Sequence, residues 1–265
     1  MSGYRAANGL MAYRKYGEGS GDTVVLLHAF PLNSRMWLPQ AEALAANRRV
    51  ITPDYPGFGR SPGSPAQPDV GYYAKCVRGL LDRLGLEKVV LGGLSMGGYV
   101  AFECMRQFPE RVSALILANT RPDPDSEEIR ESRREMCRRV AGEGVEVLVE
   151  LQMQRLLAES TLQDDEATVE LVRGMILESN PNGVVAALTA MRERPDSNPL
   201  LPQISVPALV IGGAEDNISS PEIMGAMAAK IPDSRHVVLE GAGHLSNLEA
   251  PLEFNAALED FLKDN

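Results

Sequence analysis

Residues 91–100 read LGGLSMGGYV, a serine set among four glycines, and what flanks it decides how the chain is built. Upstream, Lys88-Val89-Val90-Leu91 is β-branched and unalternating, the pattern of a strand buried on both faces. Downstream, Val100, Ala101, Cys104, Met105 and Phe108 recur at helical spacing until Pro109 ends the pattern. Ser95 therefore stands between a strand and a helix. A chain that makes this passage in three or four residues turns sharply, and glycines at 93 and 97 remove the side chains that would collide. Such a turn pushes one hydroxyl off the end of a sheet, toward the free N–H groups of a helix's first turn. That is the setting a nucleophile needs. Two other readings compete: a close-packed structural turn, and a phosphate loop. The second calls for a Lys after its glycines or for G-x-G-x-x-G spacing, and the sequence has neither.

Outward from the serine, apolar runs of strand length fall at Val24–Leu27, Val50–Thr52, Lys88–Leu91, Ala114–Ala118, Ala208–Ile211 and Val237–Leu239, with an edge strand, antiparallel, expected around Met11–Tyr16. Helical patterns alternate with them, near 36–46, 70–84, 96–107, 221–230 and 251–263. Alternation of this kind builds an α/β fold, a mostly parallel central sheet with helices on both faces. One interval breaks the rhythm. From Arg121 to about Gln203 there is no strand signal, only helical patterns near 125–141, 143–158, 164–178 and 182–194. Helices with no strand of their own must pack together and onto the sheet's carboxyl edge, as a cap. The division expected is a core of residues 1–120 and 204–265 and a cap of 121–203, where ten Arg stand against 17 Asp and Glu.

With 265 residues and 44% hydrophobic content, the chain can bury a sizeable core. Its formal net charge of −10 argues against nucleic acid and anionic membrane surfaces as partners. Cys76, Cys104 and Cys137 form no C-x-x-C pair, and the first two fall within helical patterns as small buried hydrophobes. No stretch approaches the roughly 20 apolar residues of a membrane span. The amino end, MSGYRAANGLMAYRKYG, carries no apolar core of signal-peptide length, so the cytoplasm is the expected location. The Pro-rich piece at 62–68 reads as a loop.

A serine nucleophile needs a base, and the base needs a group to orient it. Of three histidines, His236 lies in strand and His28 directly follows one, whereas His244 sits in the Gly-rich loop GAGHLSNLEAP after the last strand. Reacting groups of open α/β sheets gather outside the strands' carboxyl ends, which favours His244. For the carboxylate, Asp216 in GGAEDNISSP follows the strand ending at Ile211; Glu215 rivals it by position and Asp123 by topology. The chain order Ser95, Asp216, His244 is the order found in α/β-hydrolases.

With these pieces assembled, the chain resembles the α/β-hydrolase fold superfamily over essentially its full length, through HAFP at 28–31, DYPGFGRS at 54–61, GLSMG at 93–97, the acid loop at 212–221 and GAGHLSNLEAP at 241–251. Within it, the capped carboxylesterase and 3-oxoadipate enol-lactonase-like branch is the most similar. Ala29 is a departure, where many relatives have Gly. The resemblance implies a helical cap inserted after the sixth strand, catalytic Ser95, Asp216 and His244, and an oxyanion hole from the backbone N–H groups of Phe30 and Met96. It implies no cofactor and no metal. The activity implied is hydrolysis of small to medium carboxylic esters through an acyl-enzyme on Ser95. A lactonase with the same three residues and a slowly hydrolysing ligand receptor remain as alternatives, and the partner expected is a small-molecule ester or lactone. Phe30, Trp37 and Tyr99 are candidate pocket walls, joined from above by Met153, Leu156, Leu157, Met175, Ile176, Leu188 and Met191. None of the cap arginines is singled out.

Overall fold

The computed structural model describes residues 11–19, 21–63 and 68–264. Most of the leader reading and the centre of the Pro-rich loop lie outside the described residues. Seven strands form one sheet: β1 (Tyr13–Tyr16), β2 (Val24–Leu27), β3 (Val50–Pro53), β4 (Val89–Leu94), β5 (Val112–Ala118), β6 (Ala208–Gly213) and β7 (Ser234–Leu239). Their spatial order is β1-β3-β2-β4-β5-β6-β7. β1 runs antiparallel to β3 at the edge, with Tyr13 opposite Pro53, and every other pairing is parallel. β2, β4 and β6 are buried along their whole length and β5 at all but one residue, which is why their sequences show unbroken apolar runs instead of alternation.

β4 extends three residues beyond the expected Leu91, because Gly92 and Gly93 still pair with Leu26 and Leu27 on one side and with Ile116 and Leu117 on the other. Ladder hydrogen bonds on both sides outweigh the low strand propensity of glycine. β7 likewise begins three residues early, at Ser234, which keeps the exposed His236 within a strand.

The helices that alternate with these strands are α1 (Leu38–Leu44), α2 (Val70–Leu84) and α3 (Met96–Gln107). α2 is started by the Asp69 side chain, which accepts from the Tyr72 N–H, and stopped by Gly85 at φ 63°. α3 packs on β2, β4 and β5. Cys76 on α2 and Cys104 on α3 are buried, as their helical spacing predicts.

Between β5 and β6 the chain contributes no strand among the described residues but α4 (Glu127–Glu143), α5 (Glu146–Leu156), α6 (Glu159–Asp164), α7 (Glu166–Leu177) and α8 (Pro181–Arg192), followed by a 3-10 helix at Asn198–Gln203. The insertion thus follows the fifth strand of the described chain, not a sixth. Four apolar runs and the edge strand precede Arg121, and each forms one strand among the described residues. Asp165 and Asn180 cap α7 and α8 by accepting from the Thr168 and Asn182 N–H groups. α9 (Pro221–Ala228), α10 (Ser246–Glu249) and α11 (Pro251–Lys263) complete the chain, with α9 against β6 and β7 and α11 against α1. Among the described residues no helix is long and apolar enough to cross a membrane.

Candidate active site

Ser95 is the turning point between β4 and α3. Its φ of 54° lies in the left-handed region, where a non-glycine residue costs about 1–3 kcal/mol. The surroundings hold it there: the Ser95 N–H donates to the Ala118 carbonyl (3.0 Å), and its own carbonyl accepts from the Gly98 N–H (2.9 Å) and the Thr120 hydroxyl (2.9 Å). Gly93 and Gly97 are required by close approach. A Cβ on Gly93 would stand 2.2 Å from the Gly97 carbonyl, and one on Gly97 would stand 2.3 Å from the Leu27 carbonyl oxygen. Strand and helix therefore meet at the contact of two backbones, and the half-buried Ser95 side chain faces a cavity.

The loops that carry Asp216 and His244 are joined in the same way. Gly213, the last residue of β6, would place a Cβ 2.1 Å from the Ala242 carbonyl oxygen, and the Glu215 N–H donates to that same carbonyl at 2.9 Å. Asp216 is thereby carried against His244, whose Nδ1–H donates to Asp216 Oδ2 at 2.8 Å. Oδ2 also accepts from Asn119 Nδ2 (2.9 Å), while Oδ1 accepts from the Ile218 (2.8 Å) and Ser219 (3.0 Å) N–H groups. Burial acts to raise the Asp216 carboxyl, but His244 and these donors outweigh it and hold the group below the ordinary Asp value. The rivals fall elsewhere: Glu215 is exposed, and Asp123 is bound to Arg121 and Asn198.

Of the other histidines, His28 is fully buried, donating from Nδ1 to the Ala29 carbonyl (2.9 Å) and accepting the Tyr55 N–H at Nε2 (3.0 Å). Burial lowers its pKa, so it is a neutral structural ring that ties HAFP to DYPGFGRS. Asp54 of that second stretch adds a further tie by accepting from the Ser34 N–H at 2.7 Å. His236, exposed on β7, lies outside the cavity.

The cavity, about 200 Å³, is bordered by Ser95 and His244 below, by Phe30 and Tyr99 at its walls, and above by Ile129, Arg133, Met136, Gln152, Arg155, Leu156 and Met191 of the insertion. Trp37 is not one of its walls: it is fully buried and packs on Phe254 with ring centroids 6.0 Å apart. Met175, Ile176 and Leu188 are likewise core residues. Their helical spacing marks burial without saying against what. The N–H groups of Phe30 and Met96 find no acceptor among the described residues, and Met96 is the first residue of α3, where a helix leaves its amides free. Among the described residues no group of three or more His, Cys, Asp or Glu could hold a metal ion.

Two residues at this site gave no sequence motif. Asn119 sits at the end of β5 with φ 41°, fully buried; besides Asp216 it bonds the Gly243 carbonyl (3.2 Å) through Nδ2 and accepts the Ser246 hydroxyl (2.5 Å) at Oδ1. Its position at a strand's carboxyl end was the available signal. Asp125 is the other. It binds Arg133 from the cavity wall (2.5 Å) and the buried Arg194, whose guanidinium also lies 4.2 Å over the Tyr99 ring. Burial would raise the Asp125 carboxyl, but the two guanidiniums keep it below the ordinary Asp value. Asp125→Ala leaves Arg194 buried without its counter-ion, so a loss of about 3–5 kcal/mol in unfolding free energy is expected from urea titration. A loss below about 1 kcal/mol would show that the pair contributes little. Because the folded pKa is depressed, this contribution is present above the unfolded Asp value of about 3.9 and disappears as pH falls below it.

The sequence model of the alpha/beta hydrolase fold family matches residues 22–251. The chain belongs to the α/β-hydrolase family. It is 44% identical to a thermophilic esterase from Thermogutta terrifontis, over 96% of this chain and 94% of that one, with a TM-score of 0.92. An enol-lactonase structure from Burkholderia xenovorans is similar at 28% identity, covering 96% and 97% of the two chains, with a TM-score of 0.89. The 3-oxoadipate enol-lactonase 2 of Acinetobacter baylyi is 28% identical over 95% of this chain and 92% of its own length. This α/β-hydrolase thus has both esterases and lactonases among its relatives.

Proposed function

We propose that the protein is a serine carboxylesterase that cleaves small to medium esters. The observation that carries this reading is the pairing of a strained, glycine-framed Ser95 with a buried His244–Asp216 couple on one small cavity. Ser95 Oγ attacks the ester carbonyl and passes its proton to Nε2 of His244, whose orientation is set by Nδ1–H donation to Asp216. The Phe30 and Met96 N–H groups hold the oxyanion, and loss of one such donor costs about 3–4 kcal/mol. His244 returns the proton to the departing alkoxide and then activates water to release the acid. Residues 121–203 act as a cap over a core of 1–120 and 204–265.

A cavity of about 200 Å³ restricts chain length. Across p-nitrophenyl esters, kcat/KM is expected to peak between acetate and octanoate. A maximum at palmitate would contradict the closed-pocket reading, and release of a single p-nitrophenol per chain would make the protein a slow receptor. The two enol-lactonase relatives favour a second reading, lactone hydrolysis by the same residues, in which the alkoxide leaves while still tethered to the acyl chain. A lactone panel on the same preparation separates the two.

A further inference from the structure

The insertion meets the catalytic loop at one corner, Leu156–Thr161, where α5 gives way to α6. The Leu245 N–H, next to His244 in the chain, donates to the Leu156 carbonyl at 3.1 Å. Gly243, on the other side of His244, lies so close to this corner that a Cβ would stand 2.6 Å from the Ala158 nitrogen. One side chain closes the junction. Glu249, the last residue of α10, accepts from the Gly243 and Leu245 N–H groups at Oε1 (3.1 Å each) and from the Ala158 N–H (2.7 Å) and the Thr161 hydroxyl (2.9 Å) at Oε2.

All four partners are donors, so both oxygens serve as acceptors, the arrangement of an ionised carboxylate. No salt bridge supplies it with a counter-charge among the described residues, and burial pushes its carboxyl above the ordinary Glu value. Glu249 is half-buried, and a carboxylate partly withdrawn from water and held by hydrogen bonds alone is costly unless those bonds are made. Its donors come half from the histidine loop and half from the insertion. We propose that Glu249 is a positioning residue for His244, clamping the catalytic loop to the Leu156–Thr161 corner and making that corner a fixed wall of the site. This rests on the assignment of Ser95 and His244 given above.

The test uses Glu249→Ala and Glu249→Gln with an ethyl p-nitrophenyl phosphonate probe. Its phosphorus forms a bond to Ser95 Oγ as the bond to p-nitrophenolate breaks, and the serine proton passes to His244. The rate of release in one turnover therefore reads the Ser95–His244 pair. Glu249→Ala is expected to slow phosphonylation, and kcat on p-nitrophenyl butyrate, by about tenfold to a hundredfold, because displacement of a reacting group by about 1 Å costs that much. KM should stay within about twofold, since Glu249 does not border the cavity. Glu249→Gln keeps an acceptor oxygen toward one pair of donors but turns an amide toward the other, and its rates fall between; it carries the comparison if the alanine variant does not fold. Wild-type phosphonylation rates in the folded variants, or a loss confined to KM, would overturn the positioning role. If the wild-type protein is not phosphonylated at Ser95, the nucleophile assignment itself fails and the positioning role falls with it.

Discussion

Ser95→Ala is expected to lower kcat on p-nitrophenyl butyrate by about 10⁵- to 10⁶-fold while the protein remains folded. The fold is retained because every hydrogen bond that anchors Ser95 among the described residues runs through its backbone. Alanine also meets the same conformational cost at φ 54° as serine does, so the turn gains no new strain. What is lost is the Ser95 hydroxyl, and with it the acyl-enzyme route proposed above. His244→Ala should fall nearly as far, for neither of the other histidines can take its place: His28 is committed at both ring nitrogens and His236 lies elsewhere. The double variant should be scarcely worse than either single one, because both residues act in one step. Residual activity above about one hundredth of wild type in Ser95→Ala, with circular dichroism unchanged, would remove Ser95 as the nucleophile.

The sheet was legible because five of its strands are buried along all or nearly all of their length and so read as apolar runs. The antiparallel edge strand and the helices at 70–84 and 96–107 were legible as well. Strand ends were less so: Gly92 and Gly93 look like turn residues until β2 and β5 are known to flank them. In the insertion, spacing identifies the helices around Met153, Met175 and Met191, but the short α6 falls in the gap between the patterns at 143–158 and 164–178, and periodicity does not say which apolar faces meet the cavity. Ser95, Asp216 and His244 stood out through loop position and chain order. Asn119 and Glu249 did not, because a residue that acts by accepting or donating to backbone from another loop has no characteristic spacing. Arg133 and Arg155 line the cavity, yet in sequence they are indistinguishable from arginines of the solvated face.

Asp216→Asn is expected to lower kcat by about 10³- to 10⁴-fold, whereas Asp123→Asn should stay within about twofold of wild type. The four donors around Asp216 explain the difference. Oδ2 faces His244 Nδ1 and Asn119 Nδ2, and Oδ1 faces two backbone N–H groups, so the carboxylate is ringed by donors alone. An amide must turn its NH2 toward one pair of them. Turned toward His244, it favours the tautomer with the proton on Nε2, and that nitrogen can no longer accept the serine proton. Turned toward Ile218 and Ser219, it leaves buried donors unpaired and pulls the loop away from His244, which displaces the base instead. Either way the imidazolium formed during attack loses its neighbouring negative charge. Asp123, by contrast, is tied to Arg121 and Asn198, contacts that an asparagine can partly keep. If Asp216→Asn retained near wild-type kcat while Asp123→Asn lost it, the orienting carboxylate would have to be moved from the loop after β6 to the segment that follows β5.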